Sequence, residues 1–373
     1  MRVLHVQKVK GIGGSERHLL SLLPNLATAG VDVQMWAATA EDGGRFIRAL
    51  RRRGVSVREV NATSDINPNP ALVRDLWAEL HRFRPDVVHT HLVHGDLYGQ
   101  PVAWAQRVPA VSSFHGAHSF FAREPIRTAE RVVGRFTRRT IAISEYVRDF
   151  LLRSRLRPAE RIRVVPYGIQ ADDWDAPDDA RAHARMRLGL RATDVAVGIA
   201  SRLMPGKGHD FLLRAFAAAR PQAPELRLLI AGDGPLQAEV EEASHQLAGG
   251  ATTMLGFVED IRSFMASCDL LVFPTLPTLG EGFGLAALEA MAAARPVIAT
   301  RVASLPEVIA DDETGILVPP DDPRPLADAL VRLALNEQLR VQMGEAGRRR
   351  ASERFDLHRM IASTLSVYRE SVL

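Results

Sequence analysis

The chain has 373 residues, 46% hydrophobic and 24% charged, with a formal net charge of +3. That length suits two domains better than one core, and that composition excludes a disordered or low-complexity protein. A single cysteine, Cys268, excludes an intramolecular disulfide; it is expected to be a buried, inert thiol. No apolar run reaches the length of a membrane span, and the first residues are too short and interrupted for a signal peptide, so a cytoplasmic location is the expectation. The charge is uneven. Residues 1–170 hold 26 Lys+Arg against 15 Asp+Glu, a net of +11, and the remainder is net acidic. Only Lys8, Lys10 and Lys207 are lysines, so Lys207 stands out as a position needing a compact ammonium rather than a guanidinium.

In chain order, strands are predicted at 3–6, 31–36, 55–60, 87–90, 110–114, 140–143 and 162–165. Helical patterns such as 17–29, 71–84 and 145–153 separate them, the rhythm of a parallel sheet. Gly11-Ile12-Gly13-Gly14-Ser15-Glu16 follows the first strand. It is not a dinucleotide fingerprint, because Glu16 takes the place of the last glycine and the second strand ends without an acid. A glycine pair there serves either close approach by a ligand or a tight turn. His89-Thr90-His91-Leu92-Val93-His94 resembles a metal-binding H-x-H-x-D-H with Val93 in place of the acid, and His115 and His118 are further candidate ligands. The expectation is that these histidines line a ligand cleft as hydrogen-bonding groups and that no metal is held. Arg127, Arg131, Arg135 and Arg138 recur at helical spacing and predict one basic stripe over 127–139, suited either to an anionic membrane surface or to solvent.

Residues 168–179 read as a linker and contain Asp173-Trp174-Asp175, a D-x-D of the metal-nucleotide type. The rhythm restarts with strands at 195–200, 226–231, 270–273, 296–300 and 315–318, and helices at 210–219, 236–247, 285–294 and 325–335. Two helices separated near Phe355-Asp356 end the chain. Arg202-Leu203-Met204-Pro205-Gly206-Lys207-Gly208 is not a P-loop, but its two cations on a proline-glycine turn suit a diphosphate. Glu281-Gly282-Phe283-Gly284-Leu285-Ala286-Ala287-Leu288-Glu289 places two carboxylates around a turn that opens a helix. Helix-start amides hold phosphate, and a carboxylate on an apolar helix face needs donors such as sugar hydroxyls. The architecture implied is α/β, two Rossmann-like doubly wound domains facing a cleft. Residues 1–168 are expected to form one domain, on which 357–373 packs back, with 169–180 a linker and 181–356 the second domain.

With these motifs in place the chain resembles the retaining GT-B glycosyltransferases of glycosyltransferase family 4 (glycosyl transferases group 1) nearly end to end. The likeness runs through Gly13-Gly14-Ser15-Glu16, Phe114-His115-Gly116, Val165-Pro166-Tyr167-Gly168-Ile169, Arg202…Lys207, Gly232-Asp233-Gly234-Pro235, Gly256-Phe257-Val258 and Glu281…Glu289. It implies catalytic roles for Glu281 and His115 at the transferred sugar. It implies donor binding by Gly14, Arg202, Lys207, Val258, the backbone near Phe283, Gly284 and Leu285, and Glu289, which would accept from ribose. The donor would be a UDP- or GDP-linked sugar, with no cofactor and no metal. The acceptor would be a glycan, lipid-linked or small molecule, with cell-surface polysaccharide or lipopolysaccharide synthesis as setting, and no nucleic acid. Transfer would proceed with retention through an oxocarbenium-like state. Tyr167, Gln170 and Ala294 depart from the family's usual Asn, acid and Gly. Two other classes fit less well: a sugar-nucleotide epimerase on a related fold, and a non-catalytic nucleotide-sugar-binding module.

Overall fold

The strands of this chain read as near-continuous apolar runs, which suit a parallel sheet covered on both faces. The computed structural model describes residues 1–40, 43–63, 69–117 and 124–373 and resolves the strands into two all-parallel sheets. The chain divides into two compact units, Met1–Tyr167 with Leu357–Leu373, and Gly168–Asp356.

The first unit holds β1 (Arg2–Val9), β2 (Asp32–Thr39), β3 (Ser56–Asn61), β4 (Val87–His91), β5 (Ala110–Phe114), β6 (Thr137–Ala142) and β7 (Ile162–Val164), in the order β3-β2-β1-β4-β5-β6-β7. Alternation along the strands sends Val3, Val87 and Val111 to a core shared with Leu357, Ile361 and Tyr368 of the final helix, Leu357–Val372. Leu4, Val88 and Ala110 face the opposite core, with Leu72, Leu76 and Val102. The second unit holds β8 (Val195–Ala200), β9 (Leu226–Ala231), β10 (Thr252–Gly256), β11 (Leu270–Phe273), β12 (Val297–Thr300) and β13 (Gly315–Val318), in the order β10-β9-β8-β11-β12-β13. Cys268 is fully buried there, and burial pushes its thiol up to about 12.

Several elements lie outside the predicted set. Helix Leu92–Ala105 carries Gly95, Gly99 and Pro101, which erase its period. A Cβ at Gly95 would crowd the Val6 carbonyl and one at Gly99 the Thr90 methyl, so these glycines seat the helix on the sheet. Strand β10 is an edge strand, half-exposed and without an apolar run. The expected linker is structured: Ala171–Trp174 forms a helical turn with Trp174 buried, and helix Asp178–Arg187 follows. Ala294 has φ +54, the left-handed backbone that costs an L side chain energy and suits the glycine it replaces.

The basic stripe is corrected by the fold. The helix spans Glu124–Val133, Arg135 falls in the turn after it, and Arg138 lies in β6, so the four arginines do not share one helix face. Gly134 follows the helix, and a Cβ there would overlap the guanidinium of Arg157. Arg131 is turned inward to the carbonyls of Arg155 (3.2 Å) and Ser154 (3.3 Å), and Arg127 pairs with Glu124.

Two buried polar systems lie on opposite faces of β4 and β5. On one face, Arg157 reaches Glu130 at 2.5 Å and Asp96 at 3.3 Å, all three side chains fully buried. Asp96 also accepts from Thr90 and Ser112. Burial, then the neighbouring Asp96, holds Glu130 well above the usual carboxylate range. On the other face stand His5, His89 and His91, each at most 1% exposed. Both His89 and His91 were expected to line a cleft; strand parity instead turns them into the interior, toward Tyr368. Burial lowers His5 to about 3 and His18 to about 3, and holds His89 and His91 well below the ordinary imidazole value.

Two expectations follow for stability. Arg157→Leu strands two carboxylates in the core and should cost about 3–5 kcal/mol, measured by denaturant unfolding; a loss under 1 kcal/mol would show the carboxylates already neutral without it. The histidines bind protons in the unfolded chain below pH 6.5 but not in the folded one. Stability is therefore complete above that pH and falls as pH drops toward about 3, by about 1.4 kcal/mol per pH unit per histidine. Unfolding midpoints between pH 7 and pH 5, above the carboxylate range, should decline steeply. A flat profile would mean that the imidazoles are open to water.

Candidate active site

In the second unit, β8 and β11 are neighbours although two strands, β9 and β10, lie between them in the chain, so the sheet order reverses between them. Ligands of open α/β sheets bind at the carboxyl side of such a reversal. The loops after β8, β9, β10 and β11 are tied together there. Leu203 N–H donates to the Asp233 carbonyl at 2.7 Å, Gly232 N–H to Gly256 at 2.7 Å, and Leu276 N–H to Gly206 at 2.8 Å. Gly208 has φ +75, and a Cβ there would fall on the Pro274 carbonyl oxygen, so only glycine lets the two central loops touch.

This contact brings Lys207 to Glu281: Nζ meets Oε2 at 2.6 Å, with each side chain 21% exposed. Ser304 Oγ donates to the Glu281 carbonyl at 2.9 Å and fixes its backbone. Arg202 lies exposed on the same loop as Lys207. Gly284, at φ +84, caps helix Leu285–Ala292, whose first amides lack helical partners. The Phe283 ring is buried edge-on to Phe355, 5.6 Å between centroids, which anchors the turn and orients those amides. Glu289 lies on that helix and is buried. Val258, half-buried, follows β10 at the same sheet edge. The structure thus places all the second-unit site residues named from sequence on the four joined loops and the helix they open.

Two further groups escaped sequence reasoning. His209, directly after the Lys207-Gly208 turn, bonds Ser201 at 3.0 Å, and burial, then Lys207, lowers it to about 4. Ser304 is fully buried under Glu281. The signal for His209 was its place as first residue of helix His209–Ala219; Ser304 left none.

In the first unit the loop after β1 is held by Glu16, which accepts from Gly13 N–H (2.9 Å), Ser15 Oγ (3.0 Å) and Gln7 Nε2 (2.5 Å). Burial raises Glu16 above its ordinary value while these bonds oppose the rise. Gly14 is different: a Cβ there meets nothing within 4 Å, and its backbone is helical. Nothing in this unit requires glycine at 14. Lys8 and Lys10 stand nearby; burial, then these two charges, lowers His94 to about 4.

His115 ends β5, half-buried. Its Nδ1 meets Tyr167 Oη at 2.6 Å and its Nε2 meets His91 Nδ1 at 3.0 Å, while His18 stacks on Tyr167 at 4.3 Å. Both ring nitrogens are thus engaged by protein groups. His118 lies outside the described residues. Among the described residues, ligand atoms of His5, His89 and His91 come within 4.8 Å of one another, but they also bond each other or Tyr368 and Ser113. The D-x-D reading fails on geometry: Asp173 pairs with Arg262 at 3.2 Å and Asp175 with Arg348, so its carboxylates staple the turn.

The two halves of the chain match two sequence families, "Glycosyltransferase Family 4" over residues 12–173 and "Glycosyl transferases group 1" over residues 194–336. The D-inositol 3-phosphate glycosyltransferase of Streptomyces bingchenggensis is 30% identical, over 99% of this chain and 87% of its own. A GDP-mannose-dependent phosphatidylinositol monomannoside mannosyltransferase of Mycolicibacterium smegmatis is 32% identical over 66% of this chain and 65% of its own. Among solved structures, Anabaena HepE in complex with UDP and glucose has a TM-score of 0.86 at 23% identity, over 98% of this chain and 99% of that one. WaaG, a glycosyltransferase involved in lipopolysaccharide biosynthesis, has a TM-score of 0.76 at 17% identity, over 99% of each chain. With its Lys207–Glu281 loops, its reversed sheet order and this likeness along its whole length, the chain belongs to glycosyltransferase family 4 and is a glycosyltransferase of the GT-B fold.

Proposed function

We propose that the enzyme transfers a hexosyl group, with retention and without a metal ion, from a nucleoside diphosphate sugar to a hydroxyl of a phosphorylated polyol, free or lipid-borne. The observation that carries the donor half is the Lys207–Glu281 pair beside the opening of helix Leu285–Ala292. An incoming diphosphate takes the ammonium of Lys207 and the guanidinium of Arg202 and receives the helix-start amides, which together stabilise it as a leaving group. Glu281, released from Lys207, is left to the sugar. Glu289 accepts from the ribose hydroxyls, and Val258 flanks the base. The bond from the anomeric carbon to the phosphate oxygen breaks through an oxocarbenium-like state. The acceptor hydroxyl bonds that carbon from the same face, and its proton passes to the departing phosphate. UDP and UDP-glucose in structural neighbours, and GDP-mannose in a relative's name, make those the donors to try.

The acceptor reading has two supports. Several curated relatives act on D-inositol 3-phosphate by name, one on a phosphatidylinositol mannoside. In a chain with three lysines, two of them, Lys8 near the end of β1 and Lys10 just after it, lie close enough to His94 to lower it. Glycan and lipopolysaccharide acceptors belong to the same test.

In buffer containing EDTA, Lys207→Ala should weaken nucleoside diphosphate binding by about 1.5–3 kcal/mol, with partial recovery in Lys207→Arg. Glu289→Ala should weaken it too. Glu281→Ala should leave it intact or tighten it while turnover collapses, because Glu281 competes for the ammonium. Calorimetry showing the reverse, or transfer lost in EDTA and restored by magnesium or zinc, would sink the donor assignment.

Presented with inositol phosphates, phosphatidylinositol vesicles and neutral glycans, the enzyme should use the phosphorylated polyols, and Lys8→Ala with Lys10→Ala should raise the acceptor KM but not that of the donor. Gly14→Val should keep the melting temperature and lose transfer. Equal use of uncharged acceptors would overturn the acceptor reading and leave the transferase.

A further inference from the structure

Seven groups of the first unit form one unbroken line of hydrogen bonds. Ser113 Oγ meets His89 Nε2 at 2.7 Å, and His89 Nδ1 meets Tyr368 Oη at 2.7 Å. Tyr368 Oη meets His5 Nε2 at 3.4 Å, and His5 Nδ1 meets His91 Nε2 at 2.9 Å. His91 Nδ1 meets His115 Nε2 at 3.0 Å, and His115 Nδ1 meets Tyr167 Oη at 2.6 Å. Every histidine is entered on Nε2 and left on Nδ1. A neutral imidazole has one N–H and one bare nitrogen, and a hydroxyl has one hydrogen. All the protons must then point the same way along the line, and reversing one reverses all.

Both ends are buried, Ser113 and Tyr167 alike, and the end with no second partner among the described residues selects the sense. Ser113 is 2% exposed, and its hydroxyl has His89 Nε2 as its one partner among the described residues. If Ser113 donates, every donor but the terminal Tyr167 hydroxyl has an acceptor in the line, and Tyr167 makes a further contact beyond it. If His89 donates instead, the serine proton is buried without one. Donation therefore runs from Ser113 to Tyr167, and all four histidines carry their hydrogen on Nδ1, the opposite of the Nε2–H form that free neutral histidine prefers.

We propose that Ser113, His89, Tyr368, His5 and His91 are positioning residues for His115, holding it neutral, as the Nδ1–H tautomer, with both ring nitrogens turned to protein groups. The final helix, through Tyr368, thereby sets the state of a residue more than two hundred positions earlier in the chain. His115 serves as an oriented dipole and not as a general acid or base. Its importance for transfer rests on the transferase reading, in which the family resemblance places His115 at the transferred sugar; its tautomer does not.

The test is nitrogen-15 histidine NMR on the full chain at pH 7, which distinguishes N–H from bare ring nitrogens, combined with kinetics. Wild-type protein should show Nδ1–H and bare Nε2 at His5, His89, His91 and His115. Tyr368→Phe cuts the line, so His5, His91 and His115 should become tautomer mixtures. The kcat should fall about tenfold, as for other orienting partners, with donor KM unchanged. If that variant does not fold, Ser113→Ala at the far end should give the same two signatures more weakly, while a purely structural role would lower only the melting temperature. An Nε2–H or charged imidazole at His115, tautomers and kcat unmoved in the variants, or one zinc, copper or nickel ion per chain with histidine signals shifted by chelation would each overturn the proposal. If no donor and acceptor react at all, the functional reading fails, and the wild-type tautomers still decide the line of bonds.

Discussion

A parallel sheet covered on both faces offers polar chemistry very little room. Its backbone hydrogen bonds are spent between strands, its side chains point into apolar layers, and its open polar ground is the loops at the carboxyl ends. In the second unit this constraint accounts for the site directly. The neighbours β8 and β11 deliver Lys207 and Glu281 from 74 residues apart to a distance of 2.6 Å. Gly208 is the price of that approach, since no side chain fits against the Pro274 carbonyl. The ion pair, the helix opening and the buried Glu289 are consequences of where the sheet reverses its order.

The first unit breaks the rule that such a sheet is apolar within, and does so twice, on opposite faces of the same two strands. Thr90 and Ser112 point to the Asp96–Glu130–Arg157 cluster; His89, His91 and Ser113, one residue out of phase, point to Tyr368. Buried polar groups persist only when they are satisfied, and a satisfied network rigidifies its surroundings. Both networks end at or beside the carboxyl tips of β4 and β5, where His115 emerges. The polar interior therefore reads as support for one strand end.

Much of this was legible in the sequence because its signals are local. β5, β8, β9, β11 and β13 fall where they are predicted, at 110–114, 195–200, 226–231, 270–273 and 315–318, since a parallel strand covered on both faces has a composition of its own. The Arg202-to-Lys207 and Glu281-to-Glu289 motifs were readable because each sits on one loop and one helix start. What failed was long-range. The Arg127–Arg138 stripe has helical spacing, yet the helix stops at Val133, and Gly134 after it lies against Arg157, 23 positions on. The histidines at 89 and 91 look like ligands from their spacing; only strand pairing with His5 and packing under Tyr368 shows them as interior groups. Helix Leu92–Ala105 hid behind glycines that are there for packing.

The departures from the family's usual residues acquire physical meaning in the same way. Tyr167 takes an asparagine's place, and its hydroxyl is the last acceptor in the line that begins at Ser113. An asparagine side chain is shorter; a phenol, like an amide, can donate or accept, so the sense of the bond to His115 comes from the Ser113 end of the line. A tyrosine oxygen 2.6 Å from Nδ1, with His18 stacked on its ring, accepts what the line delivers. Tyr167 and the histidine layer thus form one hydrogen-bonded system, and removing the imidazoles would take away the His115 donor that the phenol oxygen accepts from. The second unit thus keeps one ion pair where its sheet reverses, and the first turns its buried polar atoms to one another.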